Sequence, residues 1–169
     1  MKVKSLILSI LTLVFVSSAS AQQVSVNYNH SQSFTGYHTY AWGTENANKI
    51  ADSILAQAAK SDIENAMQSA GLSKVDESQN PDLILLANGG LKQETSYSAW
   101  GMRGIGGGMG GITPEQNVEG TMVVDLYDAK QKMLVWRGIA QDTLSNNGDK
   151  NQKLVAKAVE KMFKQYPKH

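Results

Sequence analysis

The sequence predicts an α+β fold: an antiparallel sheet of about four to five strands with two amphipathic helices packed on one face, in a single domain over residues 22–169. Three observations carry this expectation. Apolar and polar residues alternate over residues 24–28 and around Met122, Val124 and Leu126, the period of half-buried strands. Apolar residues recur at steps of three to five over residues 49–70 and again over 151–165, the period of helices. Strand groups and helices follow one another with no internal repeat and no linker between them.

Residues 1–21 stand apart from that fold. Lys2 and Lys4 give a basic start, residues 6–16 (LILSILTLVFV) are uniformly uncharged, and Ala19-Ser20-Ala21 is a small-x-small cleavage site. Basic, then apolar, then small is the order of a cleaved signal peptide. A membrane span needs about 20 apolar residues, so this run is too short to cross a bilayer. The mature chain is expected to start near Gln22, in the periplasm, and secretion beyond the cell is compatible with the same leader. No second apolar run follows, so no transmembrane span is expected after cleavage.

Residues 24–28 (VSVNY) form the first strand, and residues 34–42 (FTGYHTYAW), aromatic and β-branched with Gly36 inside, a second extended stretch with a bend. The first helix has Ile50, Ile54, Ala58, Ile63, Met67 and Ala70 as its stripe, widened by Ala51, Leu55, Ala59 and Ala66. Asn46 or Asn48 is placed to cap its start, and Gly71 to end it. Residues 83–87 (LILLA) enter a strand that breaks at Gly89-Gly90 or divides there into two. Residues 101–111 (GMRGIGGGMGG) have no period and read as a flexible loop. Residues 118–140 are an antiparallel hairpin turning at Asp128-Ala129-Lys130-Gln131, with Met122, Val124 and Leu126 on one face and Asp125 and Tyr127 on the other. In the last helix Leu154, Val155, Ala158, Met162 and Tyr166 share a face, lysines lie mostly around the other, and Pro167 stops it.

Composition excludes several classes. There is no cysteine, hence no disulfide, thiolate metal site, thiol nucleophile or lipid anchor. The 16 basic and 15 acidic residues, with two of the lysines in the leader, give no footprint for nucleic acid or an anionic membrane.

Gly106, Gly108 and Gly111 match G-x-G-x-x-G, but a dinucleotide fingerprint must open a long helix, and here a strand arrives within nine residues. His30, His38 and His169 show no paired metal-ligand spacing, and His38 reads as a half-buried sheet residue. No G-x-S-x-G elbow or Ser-x-x-Lys is present. Asp125 is expected to pair with Arg137 across the hairpin, and turn chemistry accounts for Asp128. The residues pointing to a partner are Trp100, Met102, Ile105, Met109 and Ile112, apolar side chains on a glycine-rich backbone. Such a segment can fold onto a partner or a hydrophobic ligand, or tuck against its own domain.

The chain resembles the bacterial family called domain of unknown function 4136. The likeness rests on Phe34, Tyr37, Thr39, Tyr40 and Trp42, then Pro81-Asp82-Leu83, then Gly120-Thr121-Met122, Asp125-Leu126, Asp128 and Val135-Trp136-Arg137-Gly138, and finally Tyr166-Pro167. It implies a cell-envelope protein, many relatives being lipoproteins, with no assigned enzymatic activity or cofactor. It also implies core roles for Trp42 and Trp136 and backbone roles for Gly120 and Gly138. The expected function is a non-catalytic binding or assembly module with an envelope protein as partner. A hydrolase with a dispersed active site and a carrier of a small apolar ligand are the alternatives.

Overall fold

The structure is a computed structural model that describes residues 22–44, 50, 52–100 and 111–167. Residues 1–21 and residues 101–110 of the glycine-rich segment lie outside the described residues. Six strands form one mixed sheet: β1 (Gln23–Tyr28), β2 (Thr39–Trp42), β3 (Ser73–Lys74), β4 (Leu83–Trp100), β5 (Gly111–Asp128) and β6 (Met133–Leu144). Among the described residues two α-helices, α1 (Ser53–Ser69) and α2 (Gly148–Phe163), accompany it. The strand order is β1-β6-β5-β4-β2-β3.

Two features of the sheet correct the sequence expectation. It has six strands, and it is not antiparallel throughout. β2 runs parallel to both β3 and β4, whereas β1, β4, β5 and β6 are joined by antiparallel pairs. The chain leaves β2, crosses through α1 and returns as β3 beside it, which forces a parallel pair. β3 is two exposed polar residues long and carries no apolar pattern to betray it.

α1 begins later than its apolar period suggests. Asp52 is the cap, and its carboxylate accepts from the main-chain N–H of Ile54 and Leu55 at 2.8 and 2.9 Å. The buried stripe is Leu55, Ala59, Ile63 and Met67, a strict i+4 row. Ile54 lies one position outside that row and is 65% exposed. Gly71 follows with φ +86°, the left-handed stop expected of it. In α2, Asn147 caps the start by accepting from Lys150 N at 2.9 Å.

Three further expectations change. β2 starts only at Thr39, because Phe34 and Tyr37 turn inward, Phe34 onto the segment that follows α2 and Tyr37 edge-on against Phe34 at 5.7 Å. Phe34 meets Tyr166 edge-on at 5.4 Å. His38 is therefore exposed rather than half-buried. β4 runs unbroken through Gly89-Gly90, since β5 pairs with it continuously. Trp42 is half-buried at the edge, where its Nε1 donates to Glu64 Oε1 at 2.8 Å, whereas Trp136 is fully buried.

The core lies between one sheet face and the two helices. Leu83, Leu85, Val124, Leu126 and Trp136 meet Ile63, Met67, Val159 and Met162 there. A bulge in β6 next to the pair Leu126–Trp136 turns Val135 into this core as well.

Candidate functional site

The inward row of the sheet changes size along its length. Near β2 the inward positions carry Leu83, Leu85, Leu126 and Trp136, all fully buried. Farther along they carry Ala87, Gly89, Gly120 and Ala140. Register brings these small residues together, because Met122 pairs with Gly89 on one side and Ala140 on the other. The helices α1 and α2 bridge this hollow with Leu55, Ala59, Leu154, Val155 and Ala158. The result is an open apolar pocket with a cavity volume of about 70 Å³. Ile50 and Leu144 rest directly on its glycines. A Cβ on Gly89 would stand 3.2 Å from Ile50 Cγ1, and one on Gly120 would stand 3.1 Å from Leu144 Cδ1.

Polar groups are confined to the mouth. Asp52 is engaged as the α1 cap, and Asp142 Oδ1 accepts from Thr143 N at 2.8 Å. Gln22 Nε2 donates to the carbonyl of Leu154 at 2.8 Å, and its Oε1 is buried with no partner among the described residues. An acceptor in that position costs about 1–3 kcal/mol unless a donor reaches it.

Two carboxylates whose acidity the fold alters lie elsewhere. Asp82 and Asp128 stand at the other end of the β4–β5 pair, about 20 Å away along the strands. Partial burial pushes both carboxyls up, but hydrogen bonds outweigh it and hold both below the usual range. For Asp82 the donors are His38 N, Thr39 N and Thr39 Oγ1; for Asp128 they are Lys130 N, Gln131 N and the Tyr37 hydroxyl. Asp125 is paired as expected: Arg137 donates from Nε and Nη2 to its two oxygens at 2.6 and 2.7 Å. These groups are structural.

Of the five residues singled out for partner contact, Trp100 is the last of β4 and Ile112 the second of β5, in a ladder where Ala99 pairs with Ile112. Met102, Ile105 and Met109 lie outside the described residues. The pocket is walled by other residues altogether. Sequence reading took Gly89-Gly90 as a strand break and Gly120 as a backbone requirement. The signal that could have found the pocket was a run of small residues at alternate strand positions, facing helices whose first turns carry leucine and alanine.

The family model for "Domain of unknown function (DUF4136)" matches residues 24–168. The chain belongs to this family. A DUF4136 family protein from Bacteroides thetaiotaomicron has the same fold, with TM-score 0.54 and 14% identity over 86% of this chain and 96% of that one. A PDZ domain protein from Parabacteroides distasonis gives TM-score 0.54 and 18% identity over 86% of this chain, which spans only 36% of that protein. The PelC dodecamer from Paraburkholderia phytofirmans gives TM-score 0.50 and 16% identity, over 84% of this chain and 98% of that one. No curated protein sequence matches the chain. At these identities the DUF4136 chain shares a fold with its neighbours and nothing finer. Among its described residues no helix is long and apolar enough to cross a membrane.

Proposed function

We propose that this DUF4136 chain is exported into the periplasm, cleaved near Gln22, and works in the cell envelope as a non-catalytic binding module whose site is the apolar pocket. The observation that carries the reading is the pocket itself, a carbon-walled hollow between sheet and helices. Ligand sites are typically concave and apolar with a few polar groups at the edge. This favours carriage of an apolar group over hydrolysis, because Asp52 and Asp142 at the mouth already accept main-chain hydrogen bonds. Titration with 1-octanol, followed by methyl NMR, tests it. Saturable shifts at Leu55, Leu154 and Val155 are expected, and their absence overturns the pocket as the site. Export is tested by the N-terminal mass of protein recovered from the periplasm: a product retaining residues 1–21 refutes it.

Assembly is the second reading. Beyond the pairing of Val118 with Leu144, β4 and β5 continue as a two-stranded ribbon with no third strand beside it among the described residues. Isolated ribbons are marginal in water and leave edges open to pairing. The PelC neighbour is a dodecamer. Hydrogen exchange separates the outcomes: full protection of residues 100–112 in the monomer overturns docking through this segment, and protection gained only in an oligomer supports it.

A further inference from the structure

We propose that the pocket receives the alkyl chain of a free fatty-acid-like anion, with the lysine row of α2 holding the head group. This rests on the pocket being the binding site and adds the chemistry of its ligand. A second, polar depression adjoins the apolar pocket, and Gln22, Asp142, Leu144 and Leu154 belong to both. Leu144 and Leu154 form the lip over which a chain would pass from one to the other.

The far side of that lip is basic. Lys150, Lys157 and Lys161 edge the polar depression, and all three are exposed. Their spacing of seven and then four residues places them within about 40° of arc on α2. Leu154 lies at the edge of the same row, so the residue that walls the pocket sits between the charges. Lysine stems can lie along apolar surface while the ammonium groups stay in water. The charge order runs across the mouth, with Asp52 on the α1 side and three lysines on the α2 side. Asp142 stands between them with one oxygen tied to Thr143 N. An anionic head is thus repelled from α1 and drawn to α2.

Size selects the tail. The cavity of about 70 Å³ is under half of the ~150 Å³ that accommodates benzene in an engineered apolar cavity. That volume is smaller than a ring needs, and it leaves room for the end of one slender chain. A bilayer lipid with two chains has no room for its second, which favours a monomer in solution.

Three eight-carbon probes test the assignment at low ionic strength: octanoate, 1-octanol and octylammonium. Octanoate should bind about tenfold more tightly than octanol, a preference that two or three surface charge contacts can supply. Lys157→Gln combined with Lys161→Gln should bring octanoate down towards the level of octanol and leave octanol unchanged, and 0.5 M salt should do the same. Equal binding of octanoate and octanol, or tightest binding of octylammonium, overturns the head-group assignment while the pocket stands. Failure of all three probes instead overturns the pocket reading beneath it. Co-sedimentation with phosphatidylglycerol vesicles, without binding of octanoate, overturns the free-monomer source. Ala140→Leu should abolish binding of every probe that binds. Should that variant fail to fold, NMR shifts in the unsubstituted protein still decide: octanoate must perturb the methyls of Val155 and Leu55 as well as the ε-methylene signals of the lysine row.

Discussion

A single oxygen of Asp82 accepts from His38 N, Thr39 N and Thr39 Oγ1, at 2.9, 3.0 and 2.9 Å. It clamps the start of β2 to the start of β4, where the parallel pairing begins. Replacing Asp82 with alanine should cost about 1.5–3 kcal/mol, read as a lower urea midpoint at pH 7. The pH dependence has a definite sign. Asp82 and Asp128 both titrate lower in the folded chain than in the unfolded one. Their stabilisation is therefore complete above the unfolded carboxylate range near pH 4 and is lost as pH falls through the folded values. Urea midpoints should hold from pH 5 to 7 and drop below about pH 4, and the drop should shrink in Asp82→Ala. Burial together with the bond to Asp128 drives the Tyr37 hydroxyl well above its ordinary value, so it stays a donor throughout that range. Gly138 makes a different kind of demand. A Cβ there would stand 2.6 Å from Met162 Sδ and 2.7 Å from Trp136 Cη2. Gly138→Ala should destabilise by about 1–3 kcal/mol through overpacking. The loss should be partly relieved when Met162 is also shortened to alanine, a coupling that a double-mutant cycle measures.

Elements were legible where one residue row met one environment. The helical period of α1 and the alternation of β1 and β5 are local patterns, and the helices and hairpin appear where those patterns predict them. Ends were less legible. The apolar period of α1 extends back to Ile50, but the helix waits for Asp52, whose carboxylate satisfies two otherwise orphaned N–H groups. Asp52→Ala should lower stability by about 1 kcal/mol, measured by thermal or urea unfolding, with fraying of the first turn seen in amide exchange. β4 misled for the opposite reason. Gly89 and Gly90 weaken strand propensity, yet ladder bonds to β5 carry the strand straight through them.

The whole molecule is closed by contacts between distant segments. β1 pairs with β6, so Tyr28 faces Trp136, and both edges of the sheet are fixed by chain returning from far away. With one core shared by sheet and helices, unfolding should be a single transition. The midpoints from tryptophan fluorescence, which reports Trp42, Trp100 and Trp136 together, and from far-UV circular dichroism should coincide in urea, and separate midpoints would show two units. The sequence by itself determined the two helices, the hairpin, the Asp125–Arg137 pair and the family, because each is written in neighbouring residues or in motifs of fixed order. Only the tertiary structure decided the parallel seating of β2 and β3 and the apolar pocket. Parallel pairing depends on where a helix returns the chain. The hollow exists only once register lines up Gly89, Gly120 and Ala140 from three strands beneath two helices. Side-chain size is local, whereas the space left between side chains belongs to the assembled fold.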